Sequence, residues 1–144
     1  MNSVLNISEA ASIAIHSLAL IASAPSRINV SQLAQATHFS KNHIAKILQI
    51  LAKKGYLSAD RGPKGGYVLL KDAKSITLME IYELIDGRIE SVHCSVHDEG
   101  CPFSECVFGT LREQVSSELR EYLTERTIYH IINVKDKNNE TKDR

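Results

Sequence analysis

Apolar residues recur along the first third of the chain at the three-to-four-residue spacing of a helix face, and the breaks in that spacing fall where helices can end. From Ser8 to about Ala24, residues Ala11, Ala14, Ile15, Leu18, Ala19 and Ala22 form one such stripe, closed by Pro25. Asn29 with Gln32 three residues on is a capping signature for a second helix, with Leu33 and Ala34 facing inward. A short turn, Thr37-His38-Phe39, leads to Ser40, which caps a third helix. That helix places Ile44, Ile47, Leu48 and Leu51 on one face and ends at Gly55, with Lys41, Asn42, Lys46 and Lys53 falling largely away from the face. The period then changes. Two short apolar runs, Tyr56-Leu57 and Tyr67 to Leu70, flank the turn-rich RGPKGG and predict a β-hairpin with a flexible, basic tip.

Thr77 with Glu80 forms a capping box for a helix ending near Gly87. A final helix expected over about 105–130 carries Phe108, Leu111, Val115, Leu119, Tyr122 and Leu123. That stripe is long for so small a domain and is expected to pack partly on a second subunit. Beyond Val134 the segment KDKNNETKDR has no apolar residue and is expected to be disordered. The order of elements predicts a mainly α chain with a small β-wing. A winged helix-turn-helix occupies 1–87, a cysteine loop 88–106, a long C-terminal dimerisation helix 105–134 and a polar tail 135–144.

At 144 residues with 43% hydrophobic content, the chain suits one domain with a real core and an appended helix. Its formal net charge is zero, which would argue against a nucleic-acid partner until its distribution is read. Between Lys41 and Lys74 eight Lys/Arg face two Asp/Glu; between Ile76 and Val134 four Lys/Arg face eleven Asp/Glu. The basic half can still collect phosphate. Residues 10–24 are apolar but too short to span a membrane, are interrupted by His16 and follow no basic stretch. Three cysteines, an odd number, fit a reducing compartment better than a disulfide scaffold. The expectation is a cytoplasmic protein without a membrane partner.

Helix, short turn, helix and hairpin outline a winged helix-turn-helix, whose second motif helix enters the major groove. The groove-facing candidates are Ser40, Lys41, Asn42, His43 and Lys46. Asn and His suit base edges, while Ser and Lys also suit phosphates. The plain alternative is an amphipathic helix with a solvated polar face. The hairpin tip favours DNA, because Arg61 and Lys64 stand among glycines that let backbone approach a phosphate, and Arg61 could enter a narrow minor groove.

Cys94, Cys101 and Cys106 lie within thirteen residues, spaced C-x(6)-C-x(4)-C, with Pro102 after the second. Thiolates this close can converge on one soft metal centre: an iron–sulfur cluster, zinc or copper(I). Incidental thiols are the plain alternative.

The stretch from Val30 to Gly87, above all GYLSADRGPKGGYVLLKDAKSITLMEIYELIDG, resembles the Rrf family of bacterial winged-helix regulators, which includes iron–sulfur sensors of the IscR and NsrR type. The resemblance covers nearly the whole chain apart from the polar tail. It implies a two-fold homodimer built on the final helix, a pseudo-palindromic DNA operator, and an iron–sulfur cluster held by three cysteines in the loop before that helix. Five residues in each gap is a common family spacing, so this chain departs from it. IscR-like members use a histidine three residues after the last cysteine; here that residue is Gly109. NsrR-like members use a carboxylate early in the first helix of the partner subunit, and the corresponding residue here is Glu9. Its plain alternative is a solvated acid at a helix start. His93, His97 and Glu105 are local alternatives for the fourth position.

The expected function is therefore a dimeric DNA-binding transcriptional regulator, a repressor sensing redox, nitric oxide or iron status through a cluster. A zinc-stabilised Cys₃His site using His97, or a thiol-based regulator without a cluster, are the alternatives. An enzyme with a cysteine nucleophile finds no phosphate loop, paired carboxylates or substrate domain in support, so the chain is expected not to be an enzyme.

Overall fold

The computed structural model describes Leu5, residues 7–89 and residues 101–139, the last six by their backbone alone. Among the described residues, six helices and a two-stranded sheet follow in order: α1 Glu9–Ser23, α2 Val30–Thr37, α3 Lys41–Lys53, β1 Leu57–Asp60, β2 Gly66–Leu69, a 3-10 turn Ala73–Ser75, α4 Leu78–Asp86, α5 Leu111–Glu125 and α6 Ile128–Asn139. The expected mainly helical winged helix-turn-helix is the architecture found.

The three caps read from the sequence form, and Ser8 supplies one for α1 that was not read in advance. Ser8 Oγ accepts from Ala11 N, Asn29 and Gln32 make a reciprocal capping box, Ser40 Oγ accepts from His43 N, and Thr77 and Glu80 close a second box. Each satisfies amide groups that a helix start would otherwise leave bare. The helix-turn-helix bend is made by His38, which ends α2 at φ 63, a left-handed conformation more often given to glycine.

Helix α1 runs through the middle of the core, packed against α3, α4 and α6. For that reason its buried set is Ala11, Ile13, Ala14, Ser17, Leu18 and Ile21, wider than the single stripe expected, while Ile15, Ala19 and Ala22 are only half-buried. The antiparallel strands pair Leu57 with Leu69 and Asp60 with Gly66. A third backbone rung joins Ile28 to Tyr67, so the wing is rooted on the segment before α2.

The end of the chain differs from the single helix expected over 105–130. Residues 101–110 form loop and turn, and α5 stops at Glu125. Arg126 and Thr127 are extended and pair with the strand-like start of α4: Leu78 N donates to Arg126 O at 2.8 Å and Ile128 N to Ile76 O at 2.9 Å. His130 Nδ1 accepts from Thr127 N at 3.0 Å, starting a new helix that buries Ile128 completely. The backbone of α6 extends to Asn139 and so takes in residues 135–139, the first five of the expected polar tail. Among the described residues no helix is long and apolar enough to cross a membrane.

Candidate nucleic-acid interface and cysteine segment

Lys41, Asn42, Lys46, Arg61 and Lys64 are all exposed, and His43 is half-buried. A groove between α3 and the wing brings two of them, Lys46 and Arg61, together. It is lined by Lys46, Gln49 and Lys53 from α3 and by Asp60, Arg61 and Tyr67 from the hairpin. A second depression sets Lys64 of the wing tip beside Arg27, Asn29 and Gln32 at the start of α2. Ser40 is committed to capping, with its hydroxyl oxygen 3.4 Å from His43 N.

Sequence reasoning passed over Arg27. Its Nη2 lies 2.8 Å from Asp60 Oδ2 and its Nη1 donates to Gly66 O at 3.4 Å, so one guanidinium ties both strand ends to the segment before α2. The contact spans more than thirty residues and has no local signal. Gln49 was likewise missed, although its place one turn beyond Lys46 could have been read from helical spacing.

Two of the three cysteines, Cys101 and Cys106, fall among the described residues, and both are free and exposed. Cys94, His93 and His97 lie outside the described residues. Cys106 O accepts from Gly109 N at 2.9 Å in a turn where Gly109 has φ 54, immediately before α5. Among the described residues no three His, Cys, Asp or Glu side chains converge within one chain. The Oε2 of Glu9 lies 3.7 Å from His43 Nδ1, on the first turn of α3.

The root of the cysteine segment is held from two sides. Asp86 accepts from Ser8 N at 3.1 Å and also from the Ser8 hydroxyl, fastening the end of α4 to the start of α1. Arg120 of α5 donates from Nε and Nη2 to Ile89 O, at 3.1 and 2.7 Å. Ser8 thus joins the end of α4 to the first turn of α1, which touches α3 through Glu9 and His43.

A family model described as Rrf2, iron-dependent transcriptional regulator, matches residues 7–134. A putative HTH-type transcriptional regulator of Aquifex aeolicus is 28% identical over 128 residues, 83% of this chain and 89% of that protein. The HTH-type transcriptional regulator IscR of Yersinia enterocolitica is 26% identical over 110 residues, 76% of this chain and 66% of its own length. Among solved structures, CymR, the global cysteine regulator of B. subtilis, superposes with a TM-score of 0.70 at 19% identity, covering 93% of this chain and 98% of that one. The last likeness bears on the fold.

Proposed function

The chain belongs to the Rrf2 family of iron-dependent transcriptional regulators, DNA-binding proteins rather than enzymes, and we propose that it is a homodimeric repressor whose operator affinity follows the state of an iron–sulfur cluster on Cys94, Cys101 and Cys106. The observation that carries the DNA half of this reading is the groove shared by α3 and the wing, where Lys46, Lys53 and Arg61 gather from separate elements. A helix in the major groove with a wing over the adjoining backbone uses such a surface, with phosphate contacts positioning Asn42 and His43 over base edges. Lys41 and Lys64 are also exposed and available to phosphate.

The donor chemistry fits a cluster. Cys101 and Cys106 are exposed and unbridged on a turn that has no secondary structure to break, and thiolates are the ligands iron–sulfur centres take. Glu9 is our fourth ligand, supplied by the partner subunit; its carboxylate is largely exposed and its 3.7 Å contact with His43 is long enough to be exchanged. A bound cluster would supply sensitivity to nitric oxide, oxygen or iron supply. The chain's part is transmission: Asp86 and Arg120 fix the root of the cysteine segment, Ser8 ties that root to α1, and Glu9 meets α3. A signal passes only if the two states of the segment differ in their affinity for DNA.

A dimer is supported by α5. Phe108, Leu111, Val115 and Tyr122 are exposed at near-heptad spacing, and Val115, Leu119 and Tyr122 with Leu5 and Ile7 line an open apolar groove. The free, exposed thiols favour one second reading, regulation by thiol chemistry without a cluster.

Anaerobic purification with visible absorption and iron, sulfide and zinc analysis tests the reading. A brown dimer with matched iron and sulfide, lost in Cys101→Ser or Cys106→Ser, is expected. A colourless protein with zinc would point to a Cys₃His site, and one without metal after reconstitution to thiol chemistry.

A further inference from the structure

We propose that a cavity between α1, α6 and the helix-turn-helix bend is a binding site for a neutral, aromatic small molecule carrying a hydrogen-bond donor, of the phenol or indole kind. The cavity has a volume of about 340 Å³, within the lower range of small-molecule sites. Its walls include His16 and Leu20 of α1, Thr37 and Phe39 of the bend, and Ile131 and Ile132 of α6. Among the described residues no Lys, Arg, Asp or Glu lines it, so those walls offer a charged ligand no counter-charge.

The polar groups of the lining define the ligand further. Thr37 Oγ1 donates to Leu33 O at 2.8 Å and Ser23 Oγ to Leu20 O at 3.1 Å, so both hydroxyl protons are spent within their own helices. His16 Nδ1 lies 2.7 Å from Ser12 O, and since a carbonyl only accepts, that nitrogen carries the proton. In the neutral ring Nε2 is then an acceptor, with no hydrogen-bond partner among the described residues. The lining thus offers an acceptor and has its donors engaged, and a ligand must bring the donor. The His16 and Phe39 rings meet edge to face at 6.1 Å and 74°, forming an aromatic corner against which a flat ring can lie.

The site bears on function through position. Ala36, Thr37 and Phe39 immediately precede Ser40, the cap of α3. An occupant wedged between this bend and α1 holds α3 at a fixed angle to the core, so it changes operator affinity; this consequence, unlike the binding itself, rests on the reading of α3 as the DNA-contacting helix.

The test uses 2-naphthol and naphthalene with the full-length protein, followed by calorimetry and amide chemical shifts. Saturable 2-naphthol binding is expected, with shifts centred on Leu20, Thr37 and Phe39. Naphthalene should bind about 3- to 10-fold more weakly, the worth of one hydrogen bond, and His16→Phe should erase that preference. Ala36→Phe, at an exposed position on the cavity wall, should abolish binding while leaving the fold intact; Ala19→Leu fills the same space from α1. No saturable binding at millimolar probe, binding untouched by both filling changes, or equal affinity for the two probes would each overturn the proposal. Binding without any change in affinity for a selected DNA duplex would leave the site standing and remove its link to α3.

Discussion

Tyr56 donates to Glu80 Oε1 at 2.8 Å while Glu80 Oε2 accepts from Thr77 N at 3.2 Å, so one carboxylate closes the cap of α4 and joins it to the root of the wing. Burial first, then the hydrogen bond and the charge of Glu80, push Tyr56 up from 10.0 to about 12. Between those values the folded chain holds a proton that the unfolded chain has lost, so stability falls as pH rises from about 10 through 12. Tyr56→Phe should cost about 1 kcal/mol at neutral pH and flatten that alkaline decline, read by urea unfolding across pH. Gly66 shows a different constraint. With φ 144, it sits where a Cβ would come within 2.8 Å of Ile28 O, on the rung that roots the wing. Gly66→Ala should therefore destabilise the chain by about 2 kcal/mol and weaken DNA binding, whereas alanine at Gly62, where φ is 103 but a Cβ meets nothing, should act through backbone strain alone. The turn was legible in RGPKGG; the close approach of Ile28 was not, because it arises between segments far apart in the chain.

The wing separates two kinds of arginine. Arg61 lines the groove beside α3 and is exposed, so it is assigned to phosphate; Arg27 is already engaged by Asp60 and Gly66 O and positions the hairpin. Both alanine variants should lower operator affinity, but they should part in salt dependence. Arg61→Ala should reduce the slope of log affinity against log salt by about 0.9 per head, the signature of a lost phosphate contact. Arg27→Ala should lower affinity with the slope nearly unchanged; an equal loss of slope would make Arg27 a phosphate ligand instead. Elements built on local signals were readable in advance: α2, α3 and α4 each begin with the capping residue the sequence names, and the hairpin stands where the period shifts from helical to alternating. The break between α5 and α6 was not, because no proline or glycine marks it. It comes from pairing of Thr127 with Thr77 fifty residues earlier, and from the gain in burying Ile128, which together outweigh continuation of the helix. The one local trace was Thr127 followed three residues on by His130, a cap that uses a ring nitrogen instead of a carboxylate.

The charges divide along the chain into a basic stretch, which holds α3 and the wing, and a largely acidic C-terminal stretch that carries the cysteines. The cysteines' number and spacing are read from the sequence; Cys94 lies outside the described residues, and the proposed fourth ligand, Glu9, lies beside His43 of its own chain. That arrangement makes assembly and cluster chemistry separable. Val115 lies in the apolar groove on α5, and Val115→Glu places a charge in the proposed seam. Sedimentation should show a dimer for the natural chain and a monomer for the variant. If Glu9 crosses between subunits, the monomer should lose the spectral contribution of that carboxylate while keeping all three thiolates, and so should match Glu9→Ala, which stays dimeric. The pair of variants then divides the possibilities: a monomer with an unaltered spectrum returns the fourth ligand to its own chain, and a dimer that ignores Glu9→Ala leaves Glu9 as a partner of His43 alone. Should both variants change the spectrum alike, only the monomer should also lose most of its operator affinity, because a pseudo-palindromic site is read by two heads held at a fixed spacing.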